Sequence, residues 1–209
     1  MTAIYLTNKL GFDDQERTVM GVGYNSGGRH KVKSKGVVTL PYRTWRNMLE
    51  RCYSDKLHKK QPSYADCFVS DEWLDFQVFA EWLTSNEFYN MGYQLDKDIL
   101  QKDCKVYSKD TVALVPQEIN KLLNKRGASR GSLPIGVTYH KRDRVFRAQL
   151  TMNGYKKMIG SFDYPHKAHE AYTNAKQQHV RDVAEKWRDK LDPRVYLALS
   201  NWEFKEGDE

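Results

Sequence analysis

Apolar residues recur at two different periods along this chain, and the change of period divides it. From Tyr42, the positions Tyr42, Trp45, Leu49, Cys52 and Tyr53 return every three to four residues, with Arg43, Arg46, Asn47, Glu50 and Arg51 between them, which predicts an amphipathic helix. Ser54 to Tyr64 is polar and contains Pro62, so a loop is expected, followed by a short strand at Cys67-Phe68-Val69. Ser70 is placed to cap a second helix carrying Trp73, Phe76, Phe79, Ala80 and Leu83 on one face, with Asp71 and Glu72 in its first turn. The aromatics at this spacing read as core. Val112-Ala113-Leu114-Val115 is a buried strand signal, and Pro116 suits the first position of a helix over Gln117 to Lys125. Before all of these, Thr18 to Tyr24 and Lys33 to Leu40 pair plausibly as a hairpin around Gly27-Gly28.

Beyond residue 134 the period falls to two. Phe146, Ala148, Leu150 and Met152 alternate with Arg147, Gln149 and Thr151, so one strand face is apolar and the other polar. Asn153-Gly154 is a strong hairpin signal leading into Tyr155 to Phe162. Asp163 and Pro165 then open a long helix in which Ala168, Ala171, Tyr172, Ala175, His179, Val183 and Trp187 share a face. Its small alanines allow it to lie close on the apolar side of the sheet. Asp192-Pro193 with Tyr196, Leu199 and Trp202 predicts a last short helix.

The fold class expected is therefore α+β. Residues 1–125 form a small α+β domain with aromatic-rich helices, 126–133 a basic Gly/Ser linker, and 134–209 a three-stranded antiparallel sheet packed on one long helix, with a helical extension. A chain of 209 residues is long enough for two such domains.

Charge changes the picture more than composition does. The net charge is +7. From Lys121 to Gly160 there are ten Lys and Arg against one acid, Asp143, whereas Asp66 to Leu100 holds eight acids against Lys97 alone. A basic module following an acidic one favours a polyanionic partner for the former and a protein partner for the latter, segment 66–100. Three cysteines without C-x-x-C spacing, and no secretory leader at Met1, point to a reducing cytoplasm rather than a disulfide framework. No ligand spacing supports a zinc site, and no apolar run reaches the ~20 residues of a membrane span.

A strand face of Arg, Gln and Thr has the chemistry that duplex reading needs, since guanidinium pairs with guanine, amide with adenine, and lysine neutralises phosphate. The candidates are Tyr139, Lys141, Arg142, Arg144, Arg147, Gln149, Thr151, Lys156 and Met158. The alternative is an ordinary solvated strand face.

Two family resemblances sharpen this. Gly136-Val137, Phe146-Arg147-Ala148-Gln149-Leu150, Ile159-Gly160-Ser161-Phe162 and Ala168…Ala171-Tyr172…Ala175 resemble the plant ethylene-response-factor type of DNA-binding domain, as carried by phage and bacterial homing-endonuclease-like proteins. That resemblance implies a sheet lying in the major groove of double-stranded DNA, with Arg147, Gln149 and Met158 facing it. Tyr42-x-x-Trp45-x-x-Met48-x-x-Arg51-Cys52-Tyr53, Asp71-Glu72-Trp73-x-x-Phe76-x-x-Phe79-x-x-Trp82 and Leu95-Asp96-Lys97-Asp98-Ile99 through Val115-Pro116-x-x-Ile119-Asn120 resemble phage HNH-type homing endonucleases. This implies metal-dependent DNA cleavage in a host cytoplasm, with Asp96, Asp98 and Asn120 as catalytic candidates and Asp96 and Asp98 holding Mg²⁺, which Asp103 could join. The motif is degenerate. Lys97 stands where a histidine is usual, and no histidine lies between His58 and His140. Two expectations stand side by side: a DNA endonuclease targeted by its basic module, and a catalytically inactive DNA- or protein-binding factor, such as a regulator or an inhibitor of a host defence nuclease.

Overall fold

A computed structural model describes residues 19–123, 132–152 and 154–204 of the chain. Thr18, Lys125, most of the expected linker and Asn153 lie outside the described residues. The protein is α+β and divides into two compact units, Met1–Leu114 and Val115–Glu209.

The first unit is built on two helices. Helix α1, Leu40–Tyr53, begins with Pro41 in its first turn, where a missing N–H costs nothing, and buries Trp45, Met48, Leu49 and Cys52 at helical spacing. Ser54 ends it and accepts a hydrogen bond from Leu57 N, which starts the short helix α2, Asp55–His58, inside the expected loop. Helix α3 spans Phe76–Ser85. Its cap is Asp75, whose carboxylate accepts from Gln77 N at 3.0 Å and Ser26 N at 3.2 Å, while Ser70 makes no side-chain cap. The reason lies in the backbone. Tyr24 N donates to Leu74 O and Phe76 N to Tyr24 O, a parallel bridge that holds Asp75 extended and confines Asp71–Leu74 to a separate 3₁₀ turn.

That bridge also replaces the expected hairpin. Strand β1, Lys33–Ser34, folds back on β2, Val37–Val38, and Val19 pairs locally with Gly23, so among the described residues the two segments do not pair with each other. The remaining strands are short: β3, Phe68–Val69, runs parallel to β5, Val106–Tyr107, and β4, Gln94–Asp96, pairs with β6, Ala113–Val115.

Between α1 and α3 lies an aromatic core. Trp45 Nε1 donates to Trp73 O at 2.7 Å, both buried, and Trp73 meets Phe79 edge-on at 5.1 Å and Trp82 at 4.5 Å. Each fully buried aromatic contributes roughly 2–3 kcal/mol through apolar area, and the indole hydrogen bond leaves no polar atom stranded inside.

In the second unit, α4, Gln117–Leu122, is fastened to the long helix α5, Pro165–Trp187. Lys176 Nζ donates to Leu122 O, and Glu118 accepts from Lys186 Nζ and Trp187 Nε1, the latter at 2.8 Å. Pro116 occupies the cap position of α4, one residue before its predicted place. Strands β7, Val137–His140, β8, Val145–Met152, and β9, Tyr155–Phe162, form an antiparallel sheet in that order. Val137, Ala148 and Leu150 are buried against Ala168 and Tyr172 of α5. Helix α6, Pro193–Ser200, capped by Asp192, packs on α5 further along.

The tightest point is Gly136. Its φ of +78° is left-handed, and a Cβ there would come within 2.1 Å of the Tyr172 ring. Gly136→Ala is expected to destabilise the second unit by about 3 kcal/mol, through backbone strain plus overpacking. Gly154→Ala, at φ +83° with open space around it, costs only about 1 kcal/mol. Denaturant unfolding of the two variants tests the contrast, and equal losses would refute it.

Candidate nucleic-acid interface

Residues directly opposite one another in a ladder share a face. Thr138 pairs with Arg147 and Arg147 with Ser161; Gln149 pairs with Met158 and Thr151 with Lys156. These residues form one surface on the side away from α5. The pairing slips between Ala148 and Gln149, where β9 carries an extra residue, Ile159. Without that bulge, Met158 and Lys156 would fall on the same side as Gly160, which faces the helix opposite Ala148. The slip sends Ile159 into the core and turns Met158 and Lys156 outward beside Gln149 and Thr151.

Of the nine candidates, Arg147, Gln149, Thr151, Lys156 and Met158 are thus brought together. Lys141, Arg142 and Arg144 sit exposed in the turn joining β7 to β8, with Arg144 in the left-handed region at φ +56°. Tyr139 is not on this face. It pairs with Phe146, its ring centroid 5.0 Å away, on the helix side of the sheet.

Sequence reasoning missed Asp143. Its Oδ2 accepts from Arg147 Nη2 at 2.7 Å and lies 3.0 Å from His140 Nδ1. His140 Nδ1 and Arg147 Nε are both shielded and lack a hydrogen-bond partner. The available signal was that Asp143 is the single acid in the basic segment.

In the first unit Asp96 ends β4 and Asp98 lies in the turn that follows, and both have structural duties. Asp96 Oδ1 accepts from Asp98 N and Ile99 N, each at 2.9 Å. Burial raises its carboxyl pKa above the usual range, against the opposing pull of those two bonds. Asp98 pairs with Lys97, which is buried at 6% exposure and also donates to Cys104 O at 2.7 Å. Burial pulls the Lys97 pKa down, but the Asp98 hydrogen bond and charge outweigh it and raise it. Asp103 sits in the following turn at φ +58°, and Asn120 lies in α4, in the second unit. Among the described residues no group of three or more His, Cys, Asp or Glu is arranged to hold a metal ion. The three cysteines are free and buried; burial pushes the Cys52 thiol up to about 12 and raises Cys67 as well. His58 Nε2 lies 2.8 Å from Arg51 O, and His30 Nε2 lies 3.0 Å from Glu81, which also binds Arg29.

The acid-rich segment carries part of an open groove of about 470 Å³ beside α3, floored by Trp73, Val78 and Trp82. Glu72 and Glu81 stand at it, but Lys109 approaches the former at 3.8 Å and Arg29 and His30 hold the latter. No helix among the described residues is long and apolar enough to cross a membrane. Compared with protein-family models, curated proteins and solved structures, the chain shows no significant match.

Asp96 distinguishes a turn-building carboxylate from a metal ligand. Asp96→Asn keeps the acceptor and removes a charge that burial disfavours, so at pH 7 it should unfold at or above the wild-type temperature, whereas Asp96→Ala strands two N–H groups and costs about 1–3 kcal/mol. A folded-state pKa above the unfolded one means the carboxyl's contribution is fully present below the unfolded value and is lost as pH rises through the folded one. Thermal unfolding from acid to neutral pH should therefore show wild type losing ground to Asp96→Asn as pH rises. The opposite trend would refute the assignment.

Proposed function

We propose that this is a DNA-binding protein whose second unit lays the open face of its sheet in the major groove of duplex DNA. The observation that carries this reading is the composition of that face: Arg147, Gln149, Thr151, Lys156 and Met158 lie together on the side α5 leaves uncovered. Strands spaced 4.7–4.9 Å apart make a sheet of about the width that a ~12 Å groove admits. Arg147, Gln149 and Met158 meet base edges, while Lys141, Arg142, Arg144 and Lys156 neutralise phosphates. The resemblance to ethylene-response-factor domains supports the same orientation.

Cleavage rests on the HNH resemblance alone. In that reading Asp96 and Asp98 bind Mg²⁺, Asn120 assists, and the protein is a phage-type homing endonuclease working in the host cytoplasm. The hydrogen bonds that already engage Asp96 and Asp98 favour the second reading, a DNA- or protein-binding factor whose acid-rich stretch 66–100 serves as a partner surface.

Binding of the full chain to duplexes enriched from a randomised pool, measured by fluorescence anisotropy over a salt series, tests the core claim. Arg147→Ala should cost about tenfold or more in discrimination, and Lys156→Ala should weaken all sequences alike and lower the salt slope by about one. Binding that ignores salt would sink the reading. Incubation with supercoiled plasmid and Mg²⁺ separates the two alternatives: nicking abolished by Asp96→Ala and Asp98→Ala supports the nuclease, and binding without nicking supports the factor.

A further inference from the structure

The geometry points to Asp143 as the residue that aims Arg147, a positioning residue whose carboxylate holds one guanidinium nitrogen and so decides which edge is offered to a base. The inference rests on the sheet-face reading above. An arginine on an open strand face would ordinarily sample many rotamers in water. Arg147 does not stand free: its side chain is 23% exposed, its Nη2 donates to Asp143 Oδ2 at 2.7 Å, and its Nε is shielded from solvent. The turn makes this contact possible. Arg144, at φ +56°, reverses the chain between β7 and β8, and Asp143 is brought back over the start of β8. His140, on the facing strand, places Nδ1 3.0 Å from the same oxygen without a hydrogen bond's geometry.

Two features argue that the pair serves recognition rather than folding. Asp143 is 45% exposed, and exposed ion pairs of this kind contribute little to stability. It is also the lone acid among the ten cations of residues 121–160, so on a DNA-facing surface it repels phosphate and weakens binding. With Nε shielded and one Nη2 hydrogen taken, the two hydrogens of Nη1 and one of Nη2 remain. An end-on pair drawn from Nη1 and Nη2 suits the two acceptors, O6 and N7, which guanine presents in the major groove.

The test is sequence selection from a randomised duplex pool by the full chain, comparing wild type, Arg147→Ala, Asp143→Ala and Asp143→Asn. Wild type should enrich a motif with guanine at a position where Arg147→Ala loses the preference. Asp143→Ala should lose preference at that same position by about tenfold while binding unselected duplex more tightly, at an unchanged unfolding temperature. Asp143→Asn, which retains an acceptor oxygen, should keep much of the preference. The proposal is overturned if Asp143→Ala retains the wild-type preference there, or if Asn loses it as fully as Ala, since charge and not aim would then be responsible. If wild type enriches no motif, or Arg147→Ala erases nothing, the sheet-face reading has failed and this inference falls with it.

Discussion

A strand that buries Ala148 and Leu150 against Ala168 and Tyr172 has to turn Arg147, Gln149 and Thr151 the other way, because its side chains alternate. How closely α5 can lie on the sheet therefore governs what the sheet offers to solvent. Two small residues allow the approach: Ala168, fully buried, and Gly136, whose missing Cβ makes room for the Tyr172 ring. A larger residue at either position would lift the helix, loosen the core and let the outward face rotate. The chemistry of the open face thus depends on packing on the closed one.

The first unit follows a different logic. Its strands are two or three residues long and cannot hold a fold by themselves, so the aromatic contacts between α1 and α3 carry it, with the Trp45 to Trp73 hydrogen bond closing the centre. Charged groups near this core are used as fasteners. Lys97 ties the turn at Asp98 to the Cys104 carbonyl, and Asp96 ties down the two amides that follow β4. Both carboxylates are thereby engaged in holding this turn.

Charge is arranged differently in the two units. Glu72 and Glu81 beside α3 have cationic neighbours, so the negative charge counted along segment 66–100 is partly answered locally by Lys109, Arg29 and His30. In the basic segment Asp143 is the sole acid, and it is spent on Arg147. On the open sheet face, Gln149, Thr151, Lys156 and Met158 stand beside that pair, none of them an acid.

Helix periodicity and strand alternation, read from residue types alone, determined the α+β class, the α1 and α5 faces and the inward set Ala148, Leu150 and Ala168, because solvent exclusion acts on each side chain through its own element's period. Four features lay beyond that reach. The cap of α3 moved from Ser70 to Asp75 because Tyr24, fifty-one residues away, pairs with its backbone. The outward placement of Lys156 and Met158 came from a bulge at Ile159 that breaks the period-two rule, and Tyr139 went to the helix side by pairing with Phe146. The Asp143 to Arg147 contact depends on the left-handed turn at Arg144. Each of these is set by a partner on another strand or by a backbone reversal, and only tertiary structure specifies which residues those bring together.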